Sequence, residues 1–187
     1  REYALERHTL HMGTLINAKL FGATPEAVKH YAIVFEDKVT DYDDLMSVHK
    51  DTPLNEVNRR AGEPVEVPCE IADMTKQALA IADETNGAFE PMIGPVVNLW
   101  KIGFGGEHVP SDEAIAEAVS KVDRSKVRVW REGGRCMMQI AKGQSIDMGA
   151  IAKGFIGQRL SDILKHEGMT RGVLDLGGNI VAVGEKS

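Results

Sequence analysis

"KVRVWREGGRCMMQI", residues 126–140, decides what kind of fold this chain adopts. Two runs of alternating character flank Gly133-Gly134. A glycine pair between such runs signals a hairpin, because a two-residue turn needs positive φ at its central positions. The same pattern recurs near both ends of the sequence. "EYALERHTLHMGTLINAKLF" (2–21) alternates around Met12-Gly13, and "RGVLDLGGNIVAVG" (171–184) places two short strands around Gly177-Gly178.

Helical signals lie between these hairpins. Thr24 is placed to cap a helix with Pro25 at its first position, and Val28, Tyr31, Ala32, Phe35 and Val39 recur at helical spacing. The polar segment from Asp41 to Pro53 reads as a loop, followed by a short helix from Leu54 to Arg60. Glu70 to Thr85 forms a second amphipathic helix with Ile71, Met74, Ala78, Leu79 and Ala82 inward, ended by the left-handed cap Asn86-Gly87. "IGFGGEHVP" (102–110) reads as a flexible loop, and Ser111 caps a helix to about Ser120. The helix after Met148 runs to His166-Glu167 and stops at Gly168. Helices inserted between antiparallel hairpins, without strict strand–helix alternation, predict an α+β layered fold.

A chain of 187 residues that is 43% hydrophobic is large enough for one sizeable core, and predicts a single domain. With 28 acids against 22 bases and no basic run, the net charge of -6 argues against nucleic-acid binding. No apolar stretch has the length of a membrane-spanning helix. Cys69 and Cys136 form no close-spaced pair, which rules out a zinc ribbon or a CxxC redox motif and leaves one disulfide undecided. The chain opens on Arg1 rather than Met, so its natural start is expected upstream, where a signal peptide or lipid-anchor cysteine would lie.

Chemistry concentrates in "SIDMGAIAKGFIG" (145–157). Asp147 reads as a cap or first-turn acid at the start of the last helix. Lys153 does not suit that place, since a cation near the positive end of a helix dipole costs up to ~1 kcal/mol. Gly154 and Gly157 each cost roughly 0.5–1 kcal/mol relative to alanine inside a helix. A phosphate-bearing ligand at the helix start would use both the lysine and the free N–H groups. Tight helix–sheet contact is the alternative explanation for the glycines. In "TNGAFEPMIGPVVNLWKIG" (85–103), Trp100 reads as core, and Glu90 needs a partner if it is buried. "DYDD" (41–44) is a metal cluster on one reading and a solvated loop on the more common one. The six histidines show no metal-ligand spacing.

"MGT" (12–14), "DYDD" (41–44), "TPLNEVN" (52–58), "NGAFEPMIGPVVNLW" (86–100), "IDMGAIAKGF" (146–155) and "VLDLGGNIVAVG" (173–184), in this order, resemble the ApbE family. Its members are FAD:protein FMN transferases, formerly called thiamine biosynthesis lipoproteins. The resemblance implies a T-fold-like α+β fold with an antiparallel sheet and packed helices. It also implies FAD as substrate, Mg²⁺ as cofactor and a target flavoprotein subunit carrying an acceptor threonine. FMN would be joined to that threonine through a phosphoester, with release of AMP. FAD pyrophosphatase activity, with water as acceptor, and a noncatalytic FAD-binding module are the alternatives. Magnesium would bridge phosphate oxygens, and in-line attack on phosphorus asks for positioning and charge stabilisation.

Carried over by position, the resemblance makes Lys153 and Asp147 the catalytic pair. Met12, Tyr42, Ala88, Phe89 and Glu90 join them in the FAD site, with Tyr42 stacking, and Ala150 offers its carbonyl to the metal. Glu90 departs from the pattern, which has Asp there. The family pattern continues past "LGGNIVAVG" into a metal-binding half with an H-x-x-D-P-x-T-G motif and a D-x-x-x-T pair. Residues 1–187 are therefore expected to be the N-terminal portion of a single ApbE-like domain, completed by a C-terminal segment or a companion chain. The resemblance further implies export and lipid anchoring at a bacterial membrane.

Overall fold

The computed structural model describes residues 1–47, 50–101 and 109–184, so the loop expected at 102–110 lies largely outside the described residues. In chain order the elements are β1 (Tyr3–His11), β2 (Thr14–Gly22), α1 (Pro25–Met46), α2 (Pro53–Arg59), β3 (Val65–Val67), α3 (Cys69–Glu84) and α4 (Gly94–Lys101). There follow α5 (Asp112–Ser120), β4 (Arg128–Glu132), β5 (Arg135–Gln139), α6 (Gly149–His166), β6 (Arg171–Leu176) and β7 (Asn179–Gly184). They form two compact units, one of Arg1–Lys50 with Ala150–Ser187, the other of Asp51–Gly149.

The first unit is built on an antiparallel sheet in the order β1-β2-β6-β7. Ile16 pairs with Leu176 and Leu20 with Gly172, a register that puts Ile16, Ala18, Leu20, Leu174 and Leu176 on one buried face. Their neighbours Leu15, Val173 and Ile180 are exposed, as period-two alternation requires. Val28, Tyr31, Ala32, Phe35 and Val39 of α1, with Ile156, Leu160 and Leu164 of α6, complete the core. Each large side chain buried there contributes roughly 1.5–3 kcal/mol. The Thr24 hydroxyl accepts from the Ala27 amide as the expected cap.

The loop expected from Asp41 is instead helical to Met46. The reason is that Tyr42 and Met46 continue the buried stripe of Val39, and Asp43 is itself buried. Charge along 41–44 concealed a continuing helix face. Asp41 and Asp44 are exposed and pair with Lys38 and Lys50, and among the described residues no His/Cys/Asp/Glu group could hold a metal.

In the second unit β5 lies between β3 and β4, with Val65 opposite Met138 and Trp130 opposite Met137. Ile71, Met74, Ala78 and Ala82 of α3 pack with Leu54, Val57, Met138 and Ile140 in the core. A disulfide joins Cys69, the first residue of α3, to Cys136 of β5. Trp100, expected in the core, is 49% exposed. The inward side of α4 is taken by Gly94 against Ser145, and Trp100 lies about a third of a turn away from it.

Candidate functional site

In the first unit two tight turns lie at the same end of the sheet. His11 pairs with Thr14 across Met12-Gly13, and Leu176 with Asn179 across Gly177-Gly178. All four turn residues have positive φ, at 52° for Met12, 69° for Gly13, 61° for Gly177 and 97° for Gly178. Glycine adopts this freely, whereas methionine pays about 1–2 kcal/mol. The Met12 amide donates to Asp43 Oδ1 at 2.9 Å, and the Gly178 amide to Asp175 Oδ1 at 2.8 Å.

Lys153 reaches this end from α6. Its Nζ lies 3.2 Å from where a Cβ on Gly177 would stand, and Thr14 Oγ1 lies 2.6 Å from that point. The side chain is half-buried, and among the described residues of its unit no carboxylate forms an ion pair with it. Met12 and Lys153 thus come together at two turns in which the Met12, Gly177 and Gly178 amides already bond to Asp43, the Leu15 carbonyl and Asp175. Tyr42 is nearby in α1 but only 5% exposed, so its ring offers little free face for stacking. The glycines of α6 separate in role. A Cβ on Gly157 would come within 2.9 Å of Val181 Cγ2, whereas one on Gly154 would meet nothing. Helix–sheet contact accounts for the first glycine, whereas the second, beside Lys153, faces open space.

The second unit gathers the other expected residues. Ala88 is exposed and Phe89 half-buried just after the cap of α3, where Asn86 and Gly87 have positive φ. Glu90 finds the partner its burial requires. One oxygen accepts from the Met92 amide at 3.2 Å and the other pairs with Arg124, whose Nε also donates to Asp83 Oδ1 at 3.1 Å. Glu90 and Asp83 push the Arg124 pKa above its usual value. With both oxygens engaged, the Glu90 carboxylate fixes the segment that follows α3. Asp147 lies against this segment. Its amide donates to the Pro91 carbonyl at 2.7 Å, and its Oδ1 accepts from the Gly149 amide at 3.1 Å, the cap-like bond expected. Asn58 clamps the strap by exchanging two hydrogen bonds with the Ile146 backbone, at 2.7 and 3.2 Å.

Asp43, Arg124 and Asn58 were not singled out as site residues from the sequence. Asp43 and Asn58 lie within the quoted stretches "DYDD" and "TPLNEVN", whereas Arg124 gave no signal. A groove of about 490 Å³ in the second unit passes Asn58, Asn98, Glu117, Lys121, Gln144 and Ser145, and none of the expected site residues lines it. Ala150 is the second residue of α6, where a helical carbonyl keeps one lone pair for another partner. Mg²⁺ at a diphosphate keeps several waters and phosphate oxygens and takes one or two protein carboxylates. Among the described residues no group of three or more His, Cys, Asp or Glu could hold a metal, and no buried side-chain nitrogen or oxygen lacks a hydrogen bond.

A sequence model of the ApbE family matches residues 12–187. A FAD:protein FMN transferase of Treponema pallidum (strain Nichols) is 34% identical over the whole of this chain and 53% of its own length. One from Klebsiella pneumoniae (strain 342) is also 34% identical, over 77% of this chain and 46% of its own. The chain spans about half the length of these curated relatives. Among solved structures, the ApbE protein of Thermotoga maritima superposes with a TM-score of 0.85 at 26% identity, covering 98% of this chain and 60% of that one. The flavin transferase ApbE of Vibrio cholerae gives 0.83 at 25% identity, covering 100% and 60%. The α+β fold of antiparallel sheets and packed helices is that of ApbE flavin transferases, and the chain belongs to the ApbE family.

Proposed function

We propose that this chain carries the flavin-nucleotide site of an enzyme that transfers FMN from FAD to a threonine hydroxyl of a target flavoprotein. The observation that carries the reading is Lys153, a half-buried cation in the opening turns of α6 beside the Met12-Gly13 and Gly177-Gly178 turns, with no carboxylate partner among the described residues of its unit. Such a group offsets phosphate charge. The names of the relatives support the same reaction for this chain.

In the proposed step the threonine Oγ attacks the FMN phosphorus and forms the phosphoester bond. The bond from that phosphorus to the bridging oxygen breaks, its electron pair leaves on AMP, and the threonine proton passes to solvent or to the AMP phosphate. Lys153 stabilises charge on the diphosphate. In the first unit Met12 bounds the nucleotide beside Lys153; Ala88, Phe89 and Asp147 of the second unit keep the FAD-contacting roles that the family resemblance assigns them. Magnesium dependence belongs to the proposal, but the described residues supply at most the Ala150 carbonyl, so no step is assigned to the ion. Export to an oxidising compartment and anchoring at a bacterial membrane are proposed as well. The Cys69–Cys136 disulfide fits an oxidising compartment, and among the described residues no helix is long and apolar enough to cross a membrane.

A second reading is FAD binding without catalysis. Incubation with FAD, Mg²⁺ and a flavoprotein acceptor separates the outcomes. In-gel flavin fluorescence on the acceptor supports transfer, free FMN and AMP indicate hydrolysis, and FAD bound unchanged indicates a binding module. Lys153→Ala should abolish FAD binding, and retention of wild-type affinity would remove the main support.

A further inference from the structure

Among the described non-glycine residues, only Met12 and Asn86 have positive φ. Asn86 ends a helix, where asparagine commonly adopts that conformation. At Met12 the two-residue hairpin turn demands positive φ, and the methionine side chain cannot offset the cost by hydrogen-bonding to its own backbone as Asn and Asp do. Help comes from 31 positions away in sequence. Asp43 is 2% exposed, accepts the Met12 amide on Oδ1 and pairs through Oδ2 with Lys50. The pairing is strong enough to raise the Lys50 pKa. A carboxylate this deeply buried is costly unless paired and hydrogen-bonded, and here one of its bonds serves a strained turn. That turn leads directly into Thr14, whose hydroxyl sits with Lys153 Nζ around Gly177.

We propose that Asp43 is a positioning residue of the nucleotide site: its buried carboxylate holds Met12 in the left-handed conformation and thereby fixes the Met12–Thr14 turn beside Lys153. This rests on the flavin reading above. Without the carboxylate, Met12 relaxes toward negative φ, its amide turns elsewhere, and Thr14 no longer packs in the same place against Gly177.

The test uses Asp43→Ala and Asp43→Asn in the full chain, with two readouts. Amide hydrogen exchange at Met12 reports the turn, with Leu20 and Leu174 in the same sheet as internal references. FAD affinity, from quenching of flavin fluorescence, reports the site. Asp43→Ala should accelerate exchange at Met12 and weaken FAD binding by about ten-fold, the scale of one lost charge-assisted hydrogen bond, with Leu20 and Leu174 unchanged. In turnover the loss should fall on KM for FAD more than on kcat. Asp43→Asn keeps an acceptor oxygen and should restore most of both. If Asp43→Ala folds poorly, adding Met12→Gly should rescue the turn, because glycine takes positive φ without help. Faster exchange at Met12 with unchanged FAD affinity overturns the proposal, as does an Asn variant as weak as the Ala variant. Failure of the unmodified chain to bind FAD would instead sink the flavin reading and the positioning role with it, while the exchange data still decide whether Asp43 holds the turn.

Discussion

Reduction of the Cys69–Cys136 bridge should destabilise the second unit selectively and by a large amount. The two cysteines are 67 residues apart, and closing a loop of that length removes denatured-state entropy worth about 4.4 kcal/mol at 25 °C in the chain-entropy model. Residual compactness of the reduced, unfolded chain lowers the expected effect to about 3–4 kcal/mol. For a unit of roughly 100 residues that is a fall in Tm of about 12–30 °C, or a urea midpoint lower by about 1–4 M. Both tryptophans, Trp100 and Trp130, lie in this unit, so their fluorescence follows its unfolding without a signal from the first. Urea melts with and without a phosphine reductant are the measurement. Reduction is preferable to substitution because Cys136 is 2% exposed, and truncating it would add a cavity cost. A midpoint shift below about 0.5 M, too little for any disulfide that constrains a long loop, would refute the reasoning.

Arg124→Ala leaves the Glu90 carboxylate, whose side chain is 11% exposed, without its cation. With Arg124 itself 26% exposed, the expected loss is about 1.5–3 kcal/mol by tryptophan-monitored urea melts. A loss below about 0.5 kcal/mol would be no more than an ordinary surface pair gives and would count against the pairing. The two helix glycines should respond with opposite sign in far-UV circular dichroism melts. Gly154→Ala, with open space around its Cβ, should stabilise by about 0.5–1 kcal/mol yet weaken FAD binding. Gly157→Ala should destabilise by up to about 2 kcal/mol, overpacking against Val181 outweighing helix propensity; equal effects at the two sites would contradict their assigned roles. The Ser125 hydroxyl, and then its amide, hold the Asp123 pKa below the ordinary aspartate value. A depressed folded pKa stabilises above the unfolded value, and that stabilisation is lost as pH falls through the folded one. Ser125→Ala should therefore raise the Asp123 pKa in an NMR titration and flatten the acid side of the stability profile, and an unmoved pKa would refute the assignment.

The sequence by itself determined the features that depend on neighbours within a turn or two. Gly133-Gly134 and Gly177-Gly178 set their hairpins through positive φ, and Thr24 and Ser111 started helices with their hydroxyls. The cost of a lysine and glycines early in α6 raised the expectation of an anion site, which stands as part of the proposal. The tertiary structure decided whatever needed a distant partner. Charges at 41–44 suggested a loop because nothing nearby in sequence shows that Asp43 is buried under the Met12 amide with Lys50 against it. Glu90 was recognised as needing a counter-charge, but Arg124 lies 34 positions away. Trp100 looked like core by composition, yet the face of α4 that turns inward is set by the fit of Gly94 on Ser145. Whether Cys69 and Cys136 meet depended on α3 lying along β5. Backbone periodicity and caps act over about four residues and are legible in order alone. Burial and charge pairing depend on which segments approach each other in space, and local sequence does not encode that.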